Sequence, residues 1–312
     1  MGLGIALSFA YSGHRVVVVD MKAREAPEFE RLQSAFRREV QDHLQFLVQV
    51  AALDAASMPR VLARIAIVPM SESPAALATV DVIFEAVPEF TEAKEEAFKA
   101  ISSAARGDAL IASTTSTFGA DQLALHVRSP ERFLNAHWLN PAHLMPLVEI
   151  SPCSQTSAAN IARLRALLQS IGKVPVVCKS SPGYIVPRIQ ALAMNEAARL
   201  VEEGVASAED VDTAVRTGFG LRFAVLGLLE FIDWGGGDIL YYASKNLAEN
   251  LDPVRFAAPE VVSRNMQEAK RGIRDGEGFY DYRDIDIARY REQRLAAFVA
   301  LLRHRGLMPV AG

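Results

Sequence analysis

Two periodicities divide the chain. In its first half, short apolar runs rich in β-branched residues at 15–19, 64–68, 80–86, 109–113, 132–138, 147–151 and 174–179 predict seven strands. Between them, apolar positions recur at helical spacing over 28–61, 92–104 and 157–171. Strands alternating with helices predict βαβ units and a parallel sheet covered on both faces. The unbroken run Val16–Val19 has no polar alternation, the pattern of a strand buried on both sides. Ser180-Ser181-Pro182-Gly183 is rich in turn formers and marks a domain boundary. Beyond it the pattern is helical only, over 186–203, 208–217, a glycine-punctuated 218–237, 238–248, 258–270 and 285–305, with Gly204 placed as a helix-terminating residue. The expected architecture is a doubly wound α/β domain over 1–180 followed by an all-helical domain over 181–312.

Composition narrows the function classes. A length of 312 residues suits two domains, and 50% hydrophobic with 22% charged residues is the balance of a globular protein with a sizeable core. Thirty-three basic against thirty-seven acidic side chains leave a net charge of −4, so no field draws the chain to nucleic acid. Two cysteines, Cys153 and Cys178, cannot form a disulfide framework, which fits a reducing compartment. The six histidines form neither an HExxH pair nor an i, i+4 pair, so no metal site is expected. No apolar run reaches the length of a membrane span. The apolar stretch 1–11 lacks a basic leading region and runs straight into a strand, unlike a signal peptide. A cytoplasmic protein is expected.

The start of the chain carries the first chemical signal. Met1-Gly2-Leu3-Gly4-Ile5-Ala6 opens a helix, a strand follows, and the strand ends in Asp20. Turn, helix, strand and acid in this order form the second half of a dinucleotide-binding unit. Read as a complete GxGxxG, the stretch fails at Leu7, so Gly2 fits better as the fingerprint's last glycine. The other two glycines and the first strand are then expected upstream of Met1, making the domain N-terminally incomplete, either through an internal start or in an impaired copy. Asp20 favours NAD over NADP, because a 2′-phosphate would face its carboxylate; Lys22 and Arg24 weaken that preference slightly.

Several ordered stretches resemble the 3-hydroxyacyl-CoA dehydrogenase family over nearly the whole chain. They are Phe84-Glu85-Ala86-Val87-Pro88-Glu89, Ala112-Ser113-Thr114-Thr115-Ser116, His137-Trp138-Leu139-Asn140-Pro141 with Leu147-Val148-Glu149, Pro182-Gly183-Tyr184-Ile185-Val186, and Gly276-Glu277-Gly278-Phe279-Tyr280. The resemblance implies a Rossmann-type domain, a helical domain that makes a homodimer, a site in the cleft between them, and NAD-dependent oxidation of a short-chain 3-hydroxyacyl-CoA in fatty acid metabolism. Oxidising a secondary alcohol needs a base for the hydroxyl proton, and neutral imidazole suits that near pH 7. A carboxylate on the other ring nitrogen fixes the tautomer. Spacing alone does not tie His137 to Glu149; the resemblance does, since both fall on the family's catalytic dyad. It further implies that Ser116 and Asn140 hold the substrate oxygen beside the nicotinamide, and that Gly2, Asp20, Glu89, Lys94 and Arg274 contact the cofactor.

Three departures bear on the substrate. Pro187-Arg188 stands where the family has Asn-Arg, removing a side-chain donor to the substrate carbonyl; Gln190, one turn on, is a candidate replacement. Thr114 replaces an Asn. The segment 28–61 offers Arg31, Arg37 and Arg38 but no lysine cluster for the CoA phosphates. Two alternatives follow. One is a dehydrogenase of a free hydroxy acid (a sugar acid, carnitine or a pyridine-carboxylate alcohol), with Arg188 and Arg222 as partners for the acid. The other is a non-catalytic, crystallin-like dimer. The aromatics of 276–282 and 226–233 are expected in the core, and Trp234–Asp238 as a flexible turn.

Overall fold

A computed structural model describes residues 1–309 and divides the chain into two compact units, Met1–Ala193 and Met194–Gly312. The division falls inside a helix, Val186–Glu202. All seven expected strands form: β1 (Val16–Val19), β2 (Ile65–Val68), β3 (Val82–Glu85), β4 (Leu110–Ser113), β5 (Phe133–Trp138), β6 (Leu147–Pro152) and β7 (Val174–Val177). The helices of seven or more residues in the first unit are α1 (Gly2–Tyr11), α2 (Ala26–Gln49), α3 (Thr91–Ala104), α4 (Ala158–Ser170) and α5 (Val186–Glu202), the last running on into the second.

The strands make two sheets, β1-β2 and β3-β4-β5-β6-β7. All pairings are parallel except β5 with β6, which are antiparallel and correct the expectation of a wholly parallel sheet. The reason is local: a loop of eight residues, 139–146, joins β5 to β6, too short for the crossover that a parallel pair requires. Central strands β4 and β5 are buried at every position, as two covered faces demand.

β1 departs from that expectation. Val17 is 38% exposed and its three neighbours are only partly buried. Val16 and Asp20 donate to the carbonyls of Arg64, just before β2, and of Val68 at its end, so Val17 and Val19 direct their peptide groups to the other edge, which has no partner among the described residues. Val82 and Phe84 of β3 likewise face away from β4, whose Leu110 and Thr114 bond Asp81 and Glu85. Helix α1 spans both sheets. Its Ile5 and Phe9 share a core with Val16, Val82, Phe84 and Trp138, while Leu7 and Ala10 pack with Val40, Leu44 and Ile65. Gly4 permits this close seating, because a Cβ there would stand 2.9 Å from that of Ala142.

The single helix expected over 28–61 is broken. α2 ends at Gln49, Ala51 turns left-handed at φ 56°, and the chain restarts in a short helix at Met58–Leu62 with Pro59 in its first turn, the one place a helix tolerates proline. Arg31, Arg37 and Arg38 lie on the exposed face of α2.

The second unit carries α6 (Ala208–Ala214), α7 (Leu228–Gly235), α8 (Gly237–Asn250), α9 (Glu260–Gln267) and α10 (Ile287–His304), with isolated β-bridges at Gly272–Glu277 and Glu277–Asp281 as its other regular pairing. Asp233 organises it: its carboxylate accepts from the Phe279 and Tyr280 amides at 3.0 and 2.9 Å and from the Tyr282 hydroxyl at 3.2 Å. A Cβ at Gly278 would come within 2.1 Å of that carboxylate, which explains the glycine. Tyr282 is core as expected, but Tyr280 is 51% exposed. Trp234–Asp238 is no loose turn: Gly236, at φ 109°, joins α7 directly to α8. Among the described residues, no helix is long and apolar enough to cross a membrane.

Candidate active site

Antiparallel pairing of β5 with β6 sets His137 directly opposite Glu149. Cross-strand neighbours point to the same face, and here the imidazole Nδ1 lies 2.8 Å from Glu149 Oε2. Both side chains are buried, Glu149 completely. Its second oxygen, Oε1, accepts from the Ile185 and Val186 amides at 2.9 Å each. Those amides open α5, so the carboxylate sits where a helix N-terminus favours negative charge. Pro187 follows as the next residue of that first turn, where its missing N–H costs no intrahelical bond. In the neutral tautomer that donates from Nδ1 to Glu149, Nε2 keeps its lone pair, for which no partner exists among the described residues.

The loop after β4 supplies the next wall, and Glu89 shapes it. Its Oε1 accepts from the amides of Ser116 at 2.7 Å and Thr117 at 3.2 Å and from the hydroxyls of Thr117 and Thr115, while Oε2 pairs with Lys94 Nζ at 2.8 Å. Lys94 is 1% exposed and also donates to both oxygens of Glu85, which in turn accepts from Ser113 Oγ and the Val87 amide. Lys94 thus ties the carboxylates of Glu85 and Glu89 together. Ser116 and Asn140 are exposed, with side chains unengaged among the described residues. The 141–146 loop beyond Asn140 is held by Lys173, whose Nζ donates to the carbonyls of Ala142 and Met145 at 2.7 and 2.8 Å and lies over the Trp138 ring. Burial pushes the Lys173 pKa down.

Burial alone would raise the Glu89 carboxyl, but hydrogen bonds from Lys94, Thr115 and Ser116 outweigh it and hold the group at about 2. A depressed native pKa adds stability that is complete above the unfolded value near 4.5 and is lost as pH falls through the window down to about 2. The side chain is a third exposed, so solvent screening trims the amplitude. The expected result is a wild-type melting temperature that falls more steeply between those pH values than that of Glu89→Gln. Parallel curves would show that the loop contacts contribute nothing to acid stability.

At the nucleotide end, Gly2 starts α1, whose N-terminus has no side-chain cap, and a Cβ on Gly2 would lie 3.7 Å from that of Ala86. Asp20 closes β1. It accepts from Arg24 Nε at 2.6 Å and from the Lys22 amide at 3.3 Å, leaving lone pairs for a ribose diol. An uncapped helix start and an acceptor at the adjacent strand end fit the phosphate and adenosine parts of a dinucleotide. Arg274 belongs to the second unit, where it pairs with Asp238. Three residues escaped the sequence reading. Glu85 and Lys173 look like ordinary surface charges in a sequence, and Tyr184, whose ring stacks on His137, stands 47 positions away with no periodicity to link them.

A dinucleotide-type α/β unit carrying a buried His–Glu dyad defines an NAD-dependent oxidoreductase. Comparison with known proteins gives the particular family. Residues 1–181 match the 3-hydroxyacyl-CoA dehydrogenase NAD-binding domain and residues 183–282 the C-terminal domain of the same enzymes, so the chain belongs to the 3-hydroxyacyl-CoA dehydrogenase family. It is 32% identical over 306 residues to 5-formyl-3-hydroxy-2-methylpyridine 4-carboxylate 5-dehydrogenase of Mesorhizobium japonicum, covering 97% of this chain and 94% of that one. It is 32% identical over 291 residues to the mitochondrial hydroxyacyl-coenzyme A dehydrogenase of Sus scrofa, covering 91% and 88%. The crystal structure of a 3-hydroxyacyl-CoA dehydrogenase from Archaeoglobus fulgidus superposes with a TM-score of 0.76 at 31% identity, over 99% of this chain and 96% of that one. The matched relatives are named dehydrogenases, which favours the catalytic readings over the non-catalytic alternative.

Proposed function

We propose that the chain oxidises the 3-hydroxyl of a short-chain 3-hydroxyacyl-CoA, of the 3-hydroxybutyryl type, to the ketone. The observation that carries this reading is the dyad: a buried imidazole fixed by Glu149 through Nδ1, with Nε2 unengaged. Bound NAD supplies the hydride acceptor. His137 Nε2 takes the hydroxyl proton, and Glu149 holds the ring in the tautomer that can accept it and offsets the charge that the ring gains. Ser116 and Asn140 position the substrate oxygen. Asp20 binds the adenosine ribose, Gly2 lets the α1 N-terminus approach the pyrophosphate, and Glu89 with Lys94 supports the cofactor-side wall through the 115–117 loop.

A second reading keeps the chemistry and replaces the thioester with a free acid. It is favoured by Pro187 in place of a side-chain donor, by the absence of a lysine cluster on α2, and by the likeness to a pyridine-carboxylate dehydrogenase. The exposed Arg188 at the start of α5 would then meet the acid. NADH formation with 3-hydroxybutyryl-CoA and with free hydroxy acids, 3-hydroxybutyrate and pyridine-carboxylate alcohols among them, separates the two. Turnover of the thioester alone supports the first reading, and turnover of free acids alone replaces it with the second.

A homodimer belongs to the same proposal. Helices α5, α8 and α10 bury no side chain within the chain, and Leu192, Met194, Ile239, Tyr242 and Leu295 all stand more than half exposed. Sedimentation at micromolar concentration should give twice the 34.0 kDa chain mass; a monomer there would remove this part of the proposal.

A further inference from the structure

The Tyr184 ring lies on the His137 imidazole, with centroids 4.8 Å apart and planes 8° from parallel. Its hydroxyl donates to the Thr115 carbonyl at 2.8 Å and accepts from Asn135 Nδ2 at 3.1 Å. The side chain is buried and the backbone stands in the left-handed region, φ 46°, immediately after Gly183 at φ 75°. A bulky residue held there needs surroundings that over-determine it, and such strain gathers where a fold must place a group. Glu149 fixes one edge of the imidazole, but one hydrogen bond leaves the ring free to swing about that contact. The stack closes this freedom. The same tyrosine ties the ring to the residue before Ser116, so the base and the loop proposed to hold the substrate oxygen share one support.

We propose that Tyr184 is a positioning residue that sets the plane of the His137 imidazole through its ring and the 115–117 loop through its hydroxyl. This rests on the dehydrogenase reading above for its kinetic consequences and not for its geometry. Two variants divide the two tasks. Tyr184→Phe keeps the stack and loses the tether, leaving the Thr115 carbonyl and the Asn135 amide each short of a partner. KM for the hydroxy substrate should rise about three- to tenfold with kcat within about twofold of wild type. Tyr184→Leu loses the stack as well, and kcat should fall about ten- to a hundredfold, the cost of a base displaced by an ångström or less. A residue that merely stabilised the fold would lower the active fraction in both variants with KM unchanged.

Carbon-13 relaxation of the His137 ring reads the geometry independently of turnover. Wild type and Tyr184→Phe should show a rigid ring, and Tyr184→Leu a mobile one, with the proton on Nδ1 in all three because Glu149 still accepts it. An equally rigid ring or wild-type kcat in Tyr184→Leu overturns the proposal, as does an unchanged KM in Tyr184→Phe. If the wild-type chain turns over neither thioester nor free hydroxy acid, the dehydrogenase reading fails separately, and the ring-mobility comparison still decides whether Tyr184 orients the ring.

Discussion

Replacement of His137 by glutamine should lower kcat for NAD-linked alcohol oxidation by about two to four orders of magnitude, the usual contribution of a positioned general base. The size of the loss follows from the site. Nε2 is the one basic atom of the dyad left without a partner among the described residues, and the glutamine side chain offers only an amide, which cannot take a proton near pH 7. Folding should survive, because Glu149 keeps its bonds to the Ile185 and Val186 amides whatever stands at position 137. NADH affinity should not change, since the residues proposed to hold the cofactor, Gly2 and Asp20 among them, lie elsewhere in the unit. Steady-state rates beside an NADH fluorescence titration test both statements. A loss of less than tenfold in kcat would move the base to another residue; a parallel loss of NADH binding would mean that the substitution disturbed the nucleotide end.

Much of this site was legible before the structure, for reasons that differ residue by residue. The strands stood out because β-branched runs bounded by turn residues have few other readings. His137 and Glu149 could be paired only through a family resemblance. Twelve residues of separation carry no geometry until the short loop makes their strands antiparallel and sets the register. The break in the 28–61 segment was signalled by Pro59 but masked by helical periodicity on either side. Val16–Val19 misled in the other direction: its composition is that of a buried central strand, whereas exposure depends on whether both edges are paired, which no local pattern encodes. Lys94 reads as a solvated helix charge because Glu85 and Glu89, its partners, precede the helix that carries it. The role of Tyr184 depends on a contact between distant segments, so sequence pattern had no access to it.

Glu149→Gln tests the other half of the dyad, and its effect should approach that of losing the base. The amide is nearly isosteric. Its carbonyl oxygen can still accept from the Ile185 and Val186 amides, which directs its NH₂ group toward Nδ1 of His137. A donor facing Nδ1 requires that nitrogen to accept, which transfers the ring proton to Nε2, the atom proposed to take the substrate proton. The variant therefore holds the imidazole in place but in the wrong tautomer, and kcat should fall by about 10²–10⁴ with a nearly native melting temperature. Glu149→Ala gives the contrast. It frees the imidazole to choose its tautomer but strands two amides at the start of α5, each costing about 1–3 kcal/mol when buried without a partner. The two variants should consequently rank in opposite order, the glutamine enzyme more stable and slower, the alanine enzyme less stable and faster per folded molecule. Nitrogen-15 tautomer spectra of His137, with rates normalised to the folded fraction, read both halves. A glutamine variant that keeps its proton on Nδ1 and most of its kcat would show that Glu149 anchors the helix and has no part in orienting the base.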